Sequence, residues 1–124
     1  MLHQRGGDGY IGFEIQIGNS VTVIWSKLAL GQVSETADYI ETQFGAKSRL
    51  NFLEQVFHVA SLLENNPLLG ITEPILEDAP LQFRSIIADR YNRLIYHIYQ
   101  DTIEIADFWD MRRDAKNLKK RLTQ

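Results

Sequence analysis

The chain has 124 residues, of which 44% are hydrophobic and 23% are charged, and this size and balance predict one globular domain. It contains no cysteine, which excludes disulfides, thiol catalysis and thiolate metal sites, and no apolar run reaches the ~20 residues of a membrane span. The formal net charge of −3 is unevenly distributed, because residues 112–121 hold six Lys or Arg against one Asp. Such a basic segment either contacts an acidic partner or forms a solvated helix face.

Residues 1–19 are rich in glycine and predict an N-terminal extension to a domain that spans residues 20–124. Phe13, Ile15 and Ile17 alternate with polar residues, which indicates a short strand. Glycine-rich termini are usually mobile unless a sheet edge pairs with them, so we expect this extension to be disordered or not to belong to the native product. It also lacks the uninterrupted apolar core of a signal peptide, so we expect a cytoplasmic protein.

The next elements are a strand and two helices. Residues 21–25 are almost continuously apolar, which predicts a buried strand, and Ser26 follows where a helix N-cap is expected. Residues 27–44 and 46–65 repeat apolar side chains at spacings of three and four, which predicts an antiparallel helical hairpin joined at Gly45. We expect the following side chains to face the core: Ala29, Val33, Ala37, Ile40 and Phe44, then Leu50, Leu53, Val56, Phe57, Ala60 and Leu62 or Leu63.

Three short runs rich in Ile, Tyr, Phe and Trp occupy residues 83–87, 93–99 and 103–109. The polar breaks between them predict an antiparallel meander, and a short basic helix follows at residues 115–122. This order predicts an α+β fold in which the hairpin covers one sheet face and the first strand lies beside a meander strand. We expect the other face to be partly open and to present arginines to an anion or an acidic partner.

In this arrangement the chain resembles the RelE/ParE family, the toxins of bacterial type II toxin–antitoxin modules. Four features carry the resemblance: VIWS at residues 23–26 before the hairpin, NPLLG at 66–70, YNRLIY at 91–96, and IEI at 103–105 followed by an aromatic pair and RRD. The resemblance implies no cofactor and two partners, a cognate antitoxin and an intracellular target, with no role for a membrane. We expect the antitoxin to dock on the hairpin groove and the sheet face.

The resemblance implies two alternative activities. RelE-like members cut messenger RNA on the ribosome without a metal, whereas ParE-like members poison DNA gyrase. Arg93 matches the arginine of the RelE core motif, and Arg84 falls at the position of its first strand lysine. Arg112 or Arg113 matches the arginine after the last strand. Ile86 replaces the second lysine, however, and no Tyr or His follows the last arginine. Since losing an acid or base typically costs ~10²–10⁴ in rate, the resemblance favours the ParE side, with a degenerate, partner-binding member as a further alternative.

The candidate catalytic residues are Arg93, Arg84 and His97, the last being the meander group with a pKa suited to proton transfer near neutrality. The structural alternatives are strand arginines paired with Glu104 or Asp107 and a neutral, hydrogen-bonded histidine. No metal site is expected, because the three histidines lack ligand spacing. We predict target or antitoxin binding by Arg84, Tyr91, Arg93, Arg112, Arg113, Lys116, Lys119 and Lys120. Ion pairs with Asp110 and Asp114 are the alternative for the two arginines near the corner.

Overall fold

The structure, a computed structural model, describes residues 2–5, 10–13 and 21–123. Within these ranges, no helix combines the length and the apolar character that a membrane crossing requires. The predicted α+β class is confirmed by the element order. In that order, the elements are β1 (Leu2–Arg5), β2 (Tyr10–Phe13), β3 (Thr22–Ser26), α1 (Lys27–Phe44), α2 (Ala46–Asn65), β4 (Ile71–Thr72), a 3-10 turn (Pro74–Leu76), β5 (Arg84–Ile87), β6 (Asn92–Tyr99), β7 (Thr102–Asp110) and α3 (Ala115–Thr123).

The described strands form one mixed sheet in the order β1-β2-β3-β7-β6-β5-β4. The predicted meander is β5, β6 and β7, and β3 lies beside β7 in parallel, as expected. In the N-terminal segment, β2 pairs with β3 and β1 pairs with β2. Ile15 and Ile17, which belong to the strand predicted there, lie outside the described residues. The domain boundary at residue 20 stays a prediction.

Local signals set the ends of the helical hairpin. The Ser26 hydroxyl accepts a hydrogen bond from the Ala29 amide at 2.9 Å, which caps α1, and donates one to the carbonyl of Ala106 at 2.7 Å. Gly45 joins the helices with a φ of 96°, a backbone conformation that favours glycine. The Ser26 contacts fix the start of α1 against β7, so the hairpin lies across one sheet face, called the hairpin face below. Its buried strand residues include Leu94, Tyr96, Ile103, Ile105 and Phe108.

The core side predicted for α2 is confirmed in part, since Val56, Ala60 and Leu63 are buried and Leu53 packs against the core, but it is wrong at two positions. Leu50 and Phe57 are 55% and 43% exposed, whereas Phe52 and Val59, which the prediction omitted, are buried. The helix carries apolar side chains on more than one side, so its periodicity is compatible with more than one rotation. Packing against the sheet selects the side that is buried. Phe44, predicted to face the core at the end of α1, is 69% exposed.

The second sheet face is covered, so the expectation of a partly open face that presents arginines is wrong. α3 and the 3-10 turn pack there, and we call it the C-terminal face. Leu118 and Leu76 are buried against Ile95 and Trp109. The basic composition of residues 115–122 conceals an apolar stripe, because Leu118 and Leu122 are four residues apart and therefore share one side of α3.

An irregularity in β7 adds a carboxylate to the C-terminal face. Ile95 pairs with Asp107 and Tyr96 pairs with Ile105, so Ala106 is an extra residue in the ladder. A bulge of this kind shifts the alternation of side chains by one residue. Ala106 packs in the C-terminal core, and the next side chain, Asp107, contacts α3. The side chains of two successive residues, Ala106 and Asp107, therefore point to the C-terminal face.

Candidate functional site

The sheet places one of the three predicted catalytic residues, Arg84, on the face opposite to the other two. Arg84 pairs with Tyr96 in the β5–β6 register, and directly paired residues share a face, so Arg84 lies on the hairpin face. Arg93 and His97 have the opposite parity along β6, which places them with Ile95 on the C-terminal face. The structure therefore does not bring Arg84, Arg93 and His97 together as one constellation.

Arg93 forms an ion pair with a buried carboxylate. Its Nη1 lies 2.8 Å from Oε2 of Glu73, whose side chain is only 3% exposed. The Glu73 backbone amide donates to the Phe83 carbonyl at 2.9 Å, which fixes the segment against the sheet. The structural alternative, in which Arg93 pairs with Glu104 or Asp107, is therefore wrong in its partner, although Arg93 does form an ion pair within the fold. The dipeptide Glu73–Pro74 was a usable signal, since an acceptor followed by proline is typical of a helical N-terminus.

Arg84 is also engaged within the fold, through the loop after α2. Its Nη1 donates to the carbonyl of Gly70 at 2.8 Å, so the alternative of an acidic partner on a neighbouring strand is not the contact that Arg84 makes. The Gly70 amide donates to the Tyr96 hydroxyl at 2.9 Å, and this hydroxyl donates to the Pro67 carbonyl at 2.7 Å. Burial raises the pKa of Tyr96. Tyr96 thus holds the NPLLG loop, a role that its place in the core motif did not indicate.

His97 lies inside the C-terminal face. Its Nε2 is 3.0 Å from Oε2 of Glu104, and both side chains are only 6% exposed. The Phe83 ring packs edge-on at 5.4 Å between centroids. The adjoining cavity, bordered also by Arg84, measures about 110 Å³, which is below the ~300–1,000 Å³ of typical ligand sites. The contacts match a hydrogen-bonded strand histidine, and the catalytic role of His97 stays a prediction.

A second buried carboxylate anchors α3. Asp107 is fully buried, and its Oδ1 accepts a hydrogen bond from Nη2 of Arg121 at 2.5 Å. Burial raises the pKa of Asp107 to about 6, and the charge of Arg121 opposes this shift. The Trp109 ring lies between two guanidinium groups, with Arg113 at 4.7 Å and Arg121 at 5.1 Å from its centroid. Arg121, which the sequence did not single out, therefore joins α3 to β7.

The corner after β7 holds an exposed, pre-oriented arginine. Nε and Nη2 of Arg112 donate to the two oxygens of Asp110 at 2.9 and 2.7 Å, and its guanidinium lies 4.0 Å over the ring of Tyr91. The hydrogen bond to Arg112 lowers the pKa of Asp110. The Arg112 side chain is nevertheless 63% exposed. The ion pair fixes its geometry and leaves its surface accessible.

The lysines of α3 continue this charged surface. Asp114 accepts a hydrogen bond from the Lys116 amide at 2.9 Å, which starts the helix. Lys116 and Lys120 are exposed, and their spacing of four places them on one side of the helix. Lys119 lies 3.4 Å from Asp78 and is 42% exposed. We call the combined surface the basic corner, which comprises Tyr91, Arg112, Arg113, Lys116, Lys119 and Lys120.

The basic corner borders a cavity of about 250 Å³ against α1, where Glu35 and Tyr39 form the opposite wall. A mixed wall of this kind suits a polar contact rather than a buried apolar ligand. Across the part of the chain that the structure describes, no three His, Asp or Glu side chains cluster as metal ligands would.

Comparison with known proteins gives the family. The sequence matches the family model for the ParE toxin of the type II toxin-antitoxin system, parDE, over residues 23–115. The chain belongs to the ParE toxin family. This match extends from β3 to the first residue of α3 and confirms the predicted RelE/ParE resemblance, on its ParE side. No curated protein matches the sequence.

The ParE assignment agrees with a solved structure described as the chromosomal ParDE TA system from P. aeruginosa. The two chains superpose with a TM-score of 0.58 at 15% sequence identity, over 69% of this chain and 90% of that chain. At this identity the similarity concerns the fold. It confirms the architecture of a helical hairpin on an antiparallel meander, which the two chains share.

Proposed function

We propose that this member of the ParE family is a toxin that arrests bacterial growth by binding and poisoning DNA gyrase in the cytoplasm, and that a cognate antitoxin neutralises it. Membership of a toxin family supports the growth-arresting role. The similar fold of a chain from a ParDE system supports the antitoxin partner. The choice of gyrase as the target rests on how this chain uses its charged residues.

The engagement of the predicted catalytic groups within the fold is the observation that carries this choice. Metal-free RNA cleavage needs a base or acid that reaches the substrate and cations for the phosphorane charge. Arg93 instead faces the buried Glu73, His97 faces Glu104 in the core, and Arg84 binds a loop carbonyl on the other sheet face. These contacts support a protein that acts by binding.

The basic corner supplies the target-binding surface in this proposal. Its side chains concentrate positive charge at one end of a molecule whose net charge is −3. A local field of this sign raises the rate of encounter with an acidic partner surface. Arg112 adds a fixed planar group, because Asp110 and the Tyr91 ring hold its guanidinium in one orientation.

Inducible expression of the chain in bacteria tests the target. Under the proposal, growth stops, total messenger RNA stays intact, and gyrase-dependent DNA breaks accumulate. Purified chain should also inhibit supercoiling by purified gyrase. Fragmented messenger RNA without DNA breaks would establish the ribonuclease instead. Unimpaired growth with the folded chain present would leave a family member that only binds its partner.

Charge reversal of the basic corner tests the surface. We expect Lys116→Glu combined with Lys120→Glu to weaken gyrase inhibition roughly tenfold or more, because electrostatic steering is reversed. The matched control is Lys27→Glu with Lys47→Glu, which makes the same change in charge at exposed positions of the hairpin. Circular dichroism establishes that both variants fold. Equal inhibition by the two variants would contradict the role of the basic corner.

A further inference from the structure

The exposed cations of the basic corner continue into the turn between β5 and β6. Arg90 in that turn is exposed, and its guanidinium lies 5.2 Å from the centroid of the Tyr91 ring. Arg112 lies over the same ring at 4.0 Å, so the ring joins the turn to the corner after β7. We call the basic corner together with Arg90 the cationic band. Its exposed cations are Arg90, Arg112, Arg113, Lys116 and Lys120.

The cationic band has a charge opposite to that of the rest of the chain. Its two segments, residues 89–92 and 110–121, hold seven Lys or Arg against three Asp, whereas the remaining residues hold six Lys or Arg against thirteen Asp or Glu. The three Asp carboxylates of the band accept hydrogen bonds from neighbouring amides or from Arg112. An acidic protein with one such region attracts a polyanion at that region and repels it elsewhere.

The cationic band lacks the apolar centre of a protein–protein interface. Leu118 is buried and Leu122 packs against the same cluster, so α3 turns its aliphatic side into the fold and its lysines outward. Among the described residues, the large apolar side chains exposed at the corner are Tyr91 and Met111, and two guanidinium groups cover the Tyr91 ring. Protein interfaces are depleted in lysine and carry apolar anchors at their centre, whereas interfaces with DNA are more polar and more positive. The composition of the band therefore fits a phosphate backbone better than a protein surface.

Two arginines of the band are held in fixed orientations. Asp110 accepts from Nε and Nη2 of Arg112, which leaves three of the five N–H donors of this guanidinium for another acceptor. Arg113 is exposed, and its guanidinium lies 4.7 Å from the centroid of the Trp109 ring. Guanidinium groups bind phosphate oxygens through paired N–H donors. A group whose orientation is already fixed loses less conformational entropy when it binds.

The lysines of α3 set the direction of the band. Lys116 and Lys120 lie on one side of the helix, about 6 Å apart along its axis. Each strand of duplex DNA carries one negative charge for about 3.4 Å of the duplex axis, so both lysines can contact phosphates of the same strand. Glu35 of α1 borders the cavity opposite Arg112, and its charge repels phosphate. We therefore expect DNA to lie over α3 and the β5–β6 turn, away from α1.

We propose that the cationic band binds the phosphate backbone of duplex DNA, so that in the complex with gyrase this surface contacts the DNA that the enzyme holds. This inference rests on the proposed function, since it assumes gyrase as the target, and it names the partner of the basic corner. Because phosphate contacts carry no base information, the binding is independent of DNA sequence. Because they release counterions, the affinity falls steeply as the salt concentration rises.

Fluorescence anisotropy of a labelled DNA duplex, titrated with the purified full-length chain from about 50 mM salt upwards, tests the contact without gyrase. We expect Lys116→Glu with Lys120→Glu to bind at least about tenfold more weakly than the wild type. The slope of log affinity against log salt should also become shallower by about 2, because two phosphate contacts are lost. The matched control, Lys27→Glu with Lys47→Glu, makes the same change in net charge and should bind nearly as tightly as the wild type. Failure of the wild type to bind, or equal affinities of the two variants, would overturn the proposal.

Binding to gyrase distinguishes DNA from an acidic surface of the enzyme as the partner. The wild type and both variants are titrated against purified gyrase with and without a bound DNA duplex. We expect the wild type to bind the DNA complex more tightly than gyrase alone, and Lys116→Glu with Lys120→Glu to lose only this gain. Equal affinity of the wild type for both forms would overturn the DNA contact, and a weaker affinity of that variant for DNA-free gyrase would assign the band to an acidic surface of the enzyme instead. DNA binding by a chain that neither binds nor inhibits gyrase would contradict the proposed function and leave the binding of DNA valid.

Discussion

The two faces of the sheet are covered in different ways. On the hairpin face, two helices of 18 and 20 residues cover apolar strand residues such as Leu94 and Ile105. On the C-terminal face, a nine-residue helix and a 3-10 turn cover a smaller apolar cluster. Within residues 21–123, the buried carboxylates are Glu73, Glu104 and Asp107, and all three face the C-terminal side.

The difference teaches that apolar burial, which stabilises the fold, is concentrated on one side of the sheet, whereas the buried ion pairs, which position the loop and α3, lie on the other. Burial of apolar surface stabilises in proportion to its area, so the hairpin face contributes most of that term. A buried ion pair offsets much of its own attraction by desolvation. The pairs of Arg93 with Glu73 and of Arg121 with Asp107 therefore position the loop and α3 more than they stabilise them.

Adjacent residues of β6 give the most direct test of this comparison. Leu94 faces the hairpin and Ile95 faces α3, and both are 0% exposed. Truncation of a buried aliphatic residue to alanine costs about 2–5 kcal/mol, depending on how far the site relaxes. We expect Leu94→Ala to lie near the upper end and Ile95→Ala near the lower end in urea unfolding, because short elements relax more easily. A larger loss for Ile95→Ala would reverse the assignment of the two faces.

Asp107→Asn tests the polar character of the C-terminal face through pH. Burial raises the pKa of this carboxyl from 3.8 to about 6. Its contribution to stability is therefore fully present below the unfolded pKa and is lost as the pH rises through about 6. A shift of this size corresponds to a loss on the order of 3 kcal/mol.

Urea unfolding at about pH 4 and about pH 7.5 measures this loss. The free energy of unfolding of the wild type should fall relative to that of Asp107→Asn between these two values, since asparagine does not titrate. Parallel pH profiles for the two proteins would show that Asp107 keeps an ordinary pKa. That result would show that the buried carboxylate does not make the stability of the C-terminal face dependent on pH.

Gly70→Ala tests the close contact between the loop after α2 and the hairpin face of the sheet. The added Cβ would meet the Ser85 carbonyl at 2.6 Å and the Tyr96 hydroxyl at 2.7 Å. Overpacking of this kind costs about 1–3 kcal/mol, and we expect a lower thermal midpoint. Tyr96→Phe is the companion variant, because it removes the hydroxyl that holds the loop. Relief of the Gly70→Ala defect in the double variant would identify the hydroxyl as the obstacle.

Gly31→Ala should have the smallest effect and the opposite sign. Gly31 lies on the exposed side of α1, and a Cβ there would meet no heavy atom within 4 Å. Alanine in a helix interior is favoured over glycine by about 0.5–1 kcal/mol. We therefore expect a higher thermal midpoint. A decrease would mean that α1 makes a contact on its outer side.

The sequence by itself determined the three helices, the strand before the hairpin and the three meander strands in their order, because the signals that end these elements are local. Ser26 caps α1, Gly45 supplies the positive φ between the helices, and the bond before Pro67 ends α2 near its predicted boundary. The four residue motifs at 23–26, 66–70, 91–96 and 103–114 also identified the family, through their order along the chain.

Only the tertiary structure decided which sides of these elements meet. The spacing of apolar residues in α2 is compatible with more than one rotation of the helix. Contact with the sheet buries Phe52 and leaves Leu50 exposed. Glu73 reaches Arg93 from a loop 20 residues earlier, and the extra residue in β7 turns Asp107 towards Arg121. Such pairs are fixed by the packing of distant segments, because a buried charge takes whichever partner the fold brings within reach. The position of Gly70 has the same origin, since its amide donates to the buried hydroxyl of Tyr96 on β6.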